Sequence, residues 1–196
     1  MTVGLLGGAF DPPHNGHLAL ADAAIERFAL ERLVVVVTGD PPHKPVETDA
    51  EMRFRLAEAA FAGRPRVELS RHELDRGGPS YTVDTAHWAA ESYGPQTIFL
   101  VGADEFVDFL TWKDPDGVLA CVRLGVATRP GYARETLDEV LGRLERAERV
   151  ELFEIPVVAV SSSEIRACVA RGDPVDDAVP AAVARLVAEL GLYGHR

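Results

Sequence analysis

The stretch VGLLGGAFDPPHNGHLALADAAIERFALERLVVVV, residues 3–37, contains the pattern that decides the fold. It starts with a short apolar run at Val3–Leu6, passes through a loop rich in glycine and proline, and ends in a β-branched run at Leu33–Val37. Between these runs, apolar residues recur at steps of three and four from Leu18 to Phe28, which predicts an amphipathic helix. A strand, a helix and a second strand form the crossover unit of a parallel sheet.

The same alternation of strands and helices continues along the chain. Further strands are predicted at Arg66–Leu69, Thr97–Val101, Leu124–Ala127 and Glu151–Ile155. Two further helices are predicted from capping boxes, one after Thr48 and Glu51 and one over Ser162–Arg171, which Ser161 and Glu164 begin. Three more are predicted over Val83–Ser92, Glu135–Ala147 and Ala181–Leu190. We therefore expect a doubly wound α/β fold, a parallel sheet with helices on both faces, in one domain over residues 1–196 with a helical C-terminal segment from about residue 172.

Composition excludes several classes of protein. The net charge of −11 disfavours a large nucleic-acid surface, which needs a basic face to displace counterions. The longest aliphatic run, Leu33–Val37, is far too short to span a membrane, so we expect a cytoplasmic protein without membrane contact. Cys121 and Cys168 show no C-x-x-C spacing, which predicts two buried, unpaired thiols.

The loop after the first predicted strand contains the most unusual residues. Gly7 and Gly8 allow a ligand to approach the backbone, and the helix that follows presents amides and a positive dipole end to an anion. His14 and His17 are three residues apart at the helix start, and they are compatible with phosphate binding, zinc ligation or ordinary capping. Zinc is disfavoured because no cysteine or well-spaced acidic ligand accompanies them. Asp11 is compatible with a general base and with a turn residue.

Two further loops follow predicted strands. In GDPPHKP, residues 39–45, stiff prolines surround Lys44, which is either a phosphate partner or a solvated surface lysine. In GGPSYTVDT, residues 77–85, the helix N-cap is expected at Ser80 or Thr82. The amides of that helix start would suit a carboxylate, and an ordinary capped helix is the alternative.

The last two loops add groups that suit a nucleotide. In VGADEFVDFLTW, residues 101–112, Asp104 is placed to accept hydrogen bonds from ribose hydroxyls, and Trp112 is either a stacking platform or a core residue. VSSSEIR, residues 160–166, combines hydroxyls, helix amides and a guanidinium, which suit a polyphosphate unless the helix is simply capped. Those side chains belong to Ser162, Ser163 and Arg166.

These loops together resemble a known family. GGAFDPPHNGHL resembles the first motif of the nucleotidyltransferase superfamily with the H-x-G-H signature, and VSSSEIR is similar to its late S-S-T-x-I-R motif. PPHKP, PSYTVDT, VGADEFVDFLTW and ATRPGY are similar to segments of one branch, the bacterial nicotinate-nucleotide adenylyltransferases. The match runs in order from about residue 3 to residue 171. Ala9 and Ser163 depart from the family pattern, which usually has threonine at both positions.

The resemblance implies a Rossmann-like sheet and transfer of AMP from ATP to nicotinate mononucleotide, with Mg²⁺ as a helper and no metal ligand from the protein. It implies catalytic roles for His14, His17 and Arg166. The residues it assigns to ATP are Gly8, Ala9, Phe10, His14, His17, Gly102, Asp104, Ser162, Ser163 and Arg166. Those it assigns to nicotinate mononucleotide are Lys44, Thr82, Trp112 and Arg129. A homo-oligomer is compatible with the family.

Two kinds of alternative stay open. Within the superfamily, the acceptor of AMP could be phosphopantetheine or the nicotinamide form of the mononucleotide. From another class, a regulator could keep the nucleotide cradle without turnover. The acceptor is expected to depend on Thr82, Trp112 and their neighbours, because the first motif explains only the transfer of AMP.

Overall fold

The computed structural model describes residues 1–42 and 45–194, which form a six-stranded sheet in which every pair of neighbouring strands is parallel. The strands are β1 (Val3–Gly8), β2 (Arg32–Val37), β3 (Val67–Ser70), β4 (Ile98–Gly102), β5 (Arg123–Thr128) and β6 (Val150–Glu154). Their order is β3-β2-β1-β4-β5-β6, which confirms the predicted doubly wound fold. The order reverses between β1 and β4, so the carboxyl ends of these two strands flank the crevice where such folds bind ligands.

The described part of the chain contains nine α-helices, of which the first seven lie between strands and the last two follow β6. They are α1 (Asn15–Arg27), α2 (Ala50–Phe61), α3 (His72–Arg76), α4 (Thr82–Tyr93), α5 (Ala103–Val107), α6 (Pro115–Cys121), α7 (Arg134–Leu141), α8 (Ser162–Arg171) and α9 (Ala181–Glu189). Helices α3, α5 and α6 were not predicted, because they are too short to show a helical period. Helix α7 was predicted to extend to Ala147, whereas it ends at Leu141 before Gly142.

Strand residues alternate between two apolar layers, one on each face of the sheet. Leu33 and Val35 of β2 face the layer that contains buried residues of α1, α2 and α9, while Val34 and Val36 face the layer of α4 to α7. Both layers are closed to water, since all four of these side chains are fully buried. This burial on both faces explains why the strands appear in the sequence as continuous apolar runs.

Two of the predicted helix caps are wrong. The N-cap of α2 is Asp49, whose Oδ1 accepts a hydrogen bond of 2.8 Å from the Met52 amide, whereas the Thr48 hydroxyl donates to Asp11. The N-cap of α4 is Tyr81, so neither Ser80 nor Thr82 fills that position.

The Ser80 hydroxyl is used elsewhere. It accepts hydrogen bonds from the amides of Gly39 (3.1 Å) and Asp40 (3.2 Å), and so it orders the loop after β2. The predicted cap of α8 is confirmed, because the Ser161 hydroxyl accepts from the Glu164 amide at 3.2 Å and donates to the Glu164 carboxylate at 2.8 Å.

The cysteines are less buried than the sequence predicts. Cys121 and Cys168 are unpaired, as expected, but both are half-buried and not buried. Among the described residues, none of the helices has both the length and the apolar character needed to cross a bilayer.

A buried guanidinium joins the carboxyl ends of β1 and β2. Arg53 of α2 is 0% exposed and donates to the carbonyls of Ala9 (3.0 Å), Thr38 (2.5 Å), Gly39 (2.8 Å) and Thr48 (3.2 Å). Burial lowers the pKa of this guanidinium, and nearby carboxylates oppose the shift. One side chain thus satisfies carbonyls from two loops, the one after β1 and the one after β2.

We predict that Arg53→Met lowers the free energy of unfolding by about 3–5 kcal/mol, because it leaves these buried carbonyls without donors. Urea unfolding followed by circular dichroism measures the change. Arg55→Met on the exposed face of the same helix is the matched control and should change stability by no more than about 0.5 kcal/mol. Equal effects of the two substitutions would contradict this account of Arg53.

Candidate active site

The loop between β1 and α1 is held in an unusual conformation. Phe10 has a positive φ of 52°, although its side chain is large and only 1% exposed. Its ring lies edge-on to His17, with the ring centroids 4.9 Å apart, and also contacts Phe61. A Cβ on Gly8 would lie 3.0 Å from the Phe10 ring, so a larger residue there would press on that buried ring. This packing presents Gly8 and His17 to the same crevice.

The two histidines of the first motif lie against each other. The ring centroids of His14 and His17 are 3.8 Å apart and the planes are tilted by 30°. The backbone amide of His14 donates to Nδ1 of His17 at 3.1 Å. An accepting Nδ1 carries no proton, so the proton of this neutral ring is on Nε2. His17 is thereby oriented as a hydrogen-bond donor through Nε2.

Residues from distant motifs form one small pocket at the switch point of the sheet. Its volume is about 70 Å³, and its wall includes seven of the residues predicted to contact ATP. These seven are Gly8, Ala9, Phe10, His17, Gly102, Ser162 and Arg166. Of the other three, His14 stacks on His17, Ser163 contacts Arg166, and Asp104 lies at the end of β4 beside the pocket.

Polar residues of helix α8 form hydrogen bonds to the first loop. Nη1 of Arg166 donates to the Asp11 carbonyl at 2.8 Å, and the Ser162 hydroxyl donates to the Pro12 carbonyl at 2.9 Å. Nε of Arg166 also forms an ion pair of 2.8 Å with Glu47. The Arg166 side chain is only 17% exposed, so its charge is partly shielded from water and acts strongly on a nearby anion.

Asp11 lies in a bend of the first loop, as the turn interpretation expects, and its carboxylate is engaged within the protein instead of being free to act as a general base. Its carboxylate is 3% exposed and accepts hydrogen bonds from the Glu47 amide (2.6 Å), the Thr48 hydroxyl (2.7 Å) and the Tyr193 hydroxyl (2.7 Å). A carboxylate with three donors from its own protein is a fixed part of the framework. Asp11 therefore organises the loop.

Thr82 and Trp112 line a second, larger cavity of about 360 Å³. Trp112 is half-buried, and its ring packs edge-on against buried Phe109 with centroids 5.2 Å apart. Lys113 adds a cation at this cavity, with its ammonium 4.2 Å from the centroid of the Tyr81 ring. The structure thus brings together the two residues on which the acceptor was expected to depend, whereas Lys44 lies outside the described residues.

Asp104 and Arg129 form a separate pair. Nη2 of Arg129 lies 2.6 Å from Oδ2 of Asp104, and both side chains are exposed. Arg129 lines a cavity of about 360 Å³ together with Tyr132 at the end of β5. Burial, and then the Asp104 carboxylate, raises the pKa of the Tyr132 phenol. Arg129 thus lies with a residue predicted to contact ATP and not with Thr82 and Trp112, and its assignment to the acceptor stays a prediction.

A fourth cavity connects the small pocket with the larger one lined by Thr82 and Trp112. It has a volume of about 140 Å³ and is shared by Gly8 and Ala9 of the small pocket and by Thr82 and Trp112 of the large one. Glu73 also lines it and is 6% exposed, with Oε1 accepting from the Thr85 hydroxyl at 2.6 Å. Residues predicted to contact ATP and residues predicted to contact the acceptor therefore face one continuous cleft.

Several residues of the site were not found from the sequence. Arg53, Glu73, Lys113 and Tyr193 were not singled out at all, and a local signal exists only for Arg53. It lies on the apolar stripe of α2 with Leu56 and Ala57, where a charged residue is unusual. Within residues 1–42 and 45–194, no group of three or more His, Cys, Asp or Glu is arranged to hold a metal ion.

The chain belongs to the cytidylyltransferase-like family, whose model matches residues 5–168. A probable nicotinate-nucleotide adenylyltransferase of Moorella thermoacetica is 44% identical over 201 residues, covering 99% of this chain and 92% of the relative. One of Rubrobacter xylanophilus is 39% identical over 197 residues, covering 98% and 92%. These relatives confirm the resemblance inferred from the motifs.

A solved structure shows the same fold. Nicotinic acid mononucleotide adenylyltransferase of Plasmodium falciparum, complexed with NaAD, superposes with a TM-score of 0.77 at 17% sequence identity. The superposition covers 98% of this chain and 97% of that chain. The α/β architecture is thus that of a known enzyme fold.

We predict that the neutral His17 ring carries its proton on Nε2, because Nδ1 accepts the His14 amide. Long-range ¹H–¹⁵N spectra of the imidazoles at pH 8 distinguish a bare Nδ1 from a protonated one. His87, on the exposed face of α4, is the internal reference. A protonated Nδ1 on His17 would contradict the geometry.

Proposed function

We propose that this chain transfers AMP from ATP to nicotinate mononucleotide and releases pyrophosphate. The observation that supports it best is the continuous cleft that joins the phosphate-binding groups of the first and last motifs to Thr82 and Trp112. A regulator that only binds ATP needs the first half of this cleft, whereas a two-substrate enzyme needs both halves. The family and the names of the full-length relatives support the same activity.

The reaction needs positioning and charge neutralisation more than a protein nucleophile. A phosphate oxygen of the mononucleotide is anionic at neutral pH and attacks the α-phosphorus of ATP, and the bond to the bridging oxygen breaks so that pyrophosphate leaves. In our proposal His17, through Nε2–H, and Arg166 stabilise the charge that develops on the phosphates. His14 supports the His17 ring, and Ser162, Ser163 and the amides at the starts of α1 and α8 contribute donors.

The acceptor lies in the larger cavity in this proposal. Trp112 stacks on the pyridine ring, and the backbone at Thr82, in the first turn of α4, donates to the nicotinate carboxylate. Asp104 and Gly102 lie where the ribose of ATP would be bound, at the end of β4.

Mg²⁺ enters as the complex with ATP in this proposal. That route fits the donor set, because the described residues offer nitrogen donors and amides to phosphate and lack a cluster of three metal ligands. The metal would neutralise charge on the β- and γ-phosphates. The substrates are small molecules of the cytoplasm, where we place the reaction.

The first test is pyrophosphate release from ATP, Mg²⁺ and nicotinate mononucleotide. We expect turnover by the wild-type chain and a decrease of about 10²- to 10³-fold in kcat for His17→Ala, because a preorganised donor to the phosphates is lost. His87→Ala, on the exposed face of α4, is the matched control and should retain wild-type activity.

Two outcomes would decide against the proposal. Absence of pyrophosphate with every pyridine mononucleotide, together with tight ATP binding in calorimetry, would favour the regulator. Turnover with phosphopantetheine and not with nicotinate mononucleotide would move the chain to another acceptor within the family.

The second test concerns the acceptor. We expect Trp112→Leu to raise KM for nicotinate mononucleotide roughly tenfold, because ring stacking of about 1–3 kcal/mol is lost, while KM for ATP stays unchanged. Trp112→Phe keeps an aromatic face and should recover most of the affinity. An equal increase of both KM values would show that Trp112 acts through the fold. Comparison of the acid and amide forms of the acceptor in the same assay measures selectivity.

A further inference from the structure

The C-terminal segment, residues 172–194, contacts the first loop although it lies beyond the part of the chain that matches the family model. Its helix α9 packs on α2, and Val179, Val183 and Val187 are buried in the apolar layer that also contains Phe10. The segment is therefore part of the core on the side of the sheet that supports the phosphate-binding loop.

Asn15, in the middle of the His14–His17 motif, makes two hydrogen bonds to this segment. Its backbone amide donates to the Ala178 carbonyl at 2.9 Å, and its side-chain amide donates to the Asp177 carbonyl at 2.9 Å. These bonds join residues far apart in the sequence and fix the first turn of α1 against the C-terminal segment.

Tyr193 makes the second contact. Its hydroxyl donates to Oδ1 of Asp11 at 2.7 Å, the same oxygen that accepts from Thr48, and Asp11 in turn accepts from Arg166 through its carbonyl. Burial and the Asp11 carboxylate raise the pKa of the Tyr193 phenol, so the hydroxyl keeps its proton and stays a donor.

We propose that Asn15 and Tyr193 are positioning residues. Through them the C-terminal segment holds Asp11 of the first loop and the first turn of α1, and so fixes the distance between His17 and Arg166. The proposal rests on the proposed function, since the reacting groups are those of the ATP site. Loss of the Tyr193 hydroxyl leaves the buried Asp11 carboxylate with one donor fewer, and the loop gains alternative positions. Small misplacements of this kind reduce the rate more than they reduce binding.

The test compares Tyr193→Phe, which keeps the ring and its packing, with wild type. We expect kcat to fall roughly tenfold, with KM for nicotinate mononucleotide unchanged. We also expect faster amide hydrogen exchange over residues 11–17 and weaker ATP binding in calorimetry. Tyr93→Phe is the matched control, because Tyr93 ends α4 at the opposite edge of the sheet and should leave all these quantities unchanged.

A second variant tests whether Asn15 and Tyr193 act together on the first loop. Asn15→Ala removes the side-chain donor, and the Asn15→Ala/Tyr193→Phe double variant should lose less activity than the product of the two single effects, because both residues hold the same loop.

Unchanged kcat and unchanged exchange over residues 11–17 in Tyr193→Phe would overturn the proposal. The proposal would also be overturned if Tyr193→Phe lowered the melting temperature but kept the wild-type kcat in assays run well below that temperature. Tyr193 would then act only on stability. Failure of the proposed function is seen separately, as absence of pyrophosphate release by the wild type. Hydrogen exchange and ATP binding, which need no turnover, would then decide whether Tyr193 positions the loop.

Discussion

The Arg53 guanidinium is the interaction on which the site depends. Parallel strands end in carbonyls that point out of the sheet, and at the ends of β1 and β2 those of Ala9, Thr38 and Gly39 have no partner strand to bind. Arg53 donates to all three from within the protein. Because a buried charge is costly unless it is fully hydrogen-bonded, this position is intolerant of change.

A second buried charge, on Asp11, accepts hydrogen bonds where Arg53 donates them. Its carboxylate accepts hydrogen bonds from the loop before α2 and from Tyr193 of the C-terminal segment, and its backbone carbonyl accepts one from Arg166. Both buried charges thus fix the first loop, Arg53 by donating to its Ala9 carbonyl and Asp11 by accepting hydrogen bonds from outside the loop. An acidic protein with a net charge of −11 can still present a local anion site, because the nearest groups set the field.

The fold was largely predictable from the sequence. Every strand in the described residues was found, because a strand buried on both faces is a continuous apolar run, and the long helices were found from their period. The short helices α3, α5 and α6 were not found, since a single turn or two shows no period. Caps were less predictable: Thr48 and Ser80 fit the cap pattern, but each hydroxyl has a partner in a distant loop.

The sequence by itself determined the α/β class, the edge of the sheet where the loops meet, and the types of residue in those loops. The tertiary structure alone decided which of them are in contact. Arg129 lies with Asp104 and not with Trp112, and Tyr193 reaches Asp11. The reason is physical: periodicity and capping act over a few residues, whereas a hydrogen bond between residues separated by 182 positions depends on how the whole core packs.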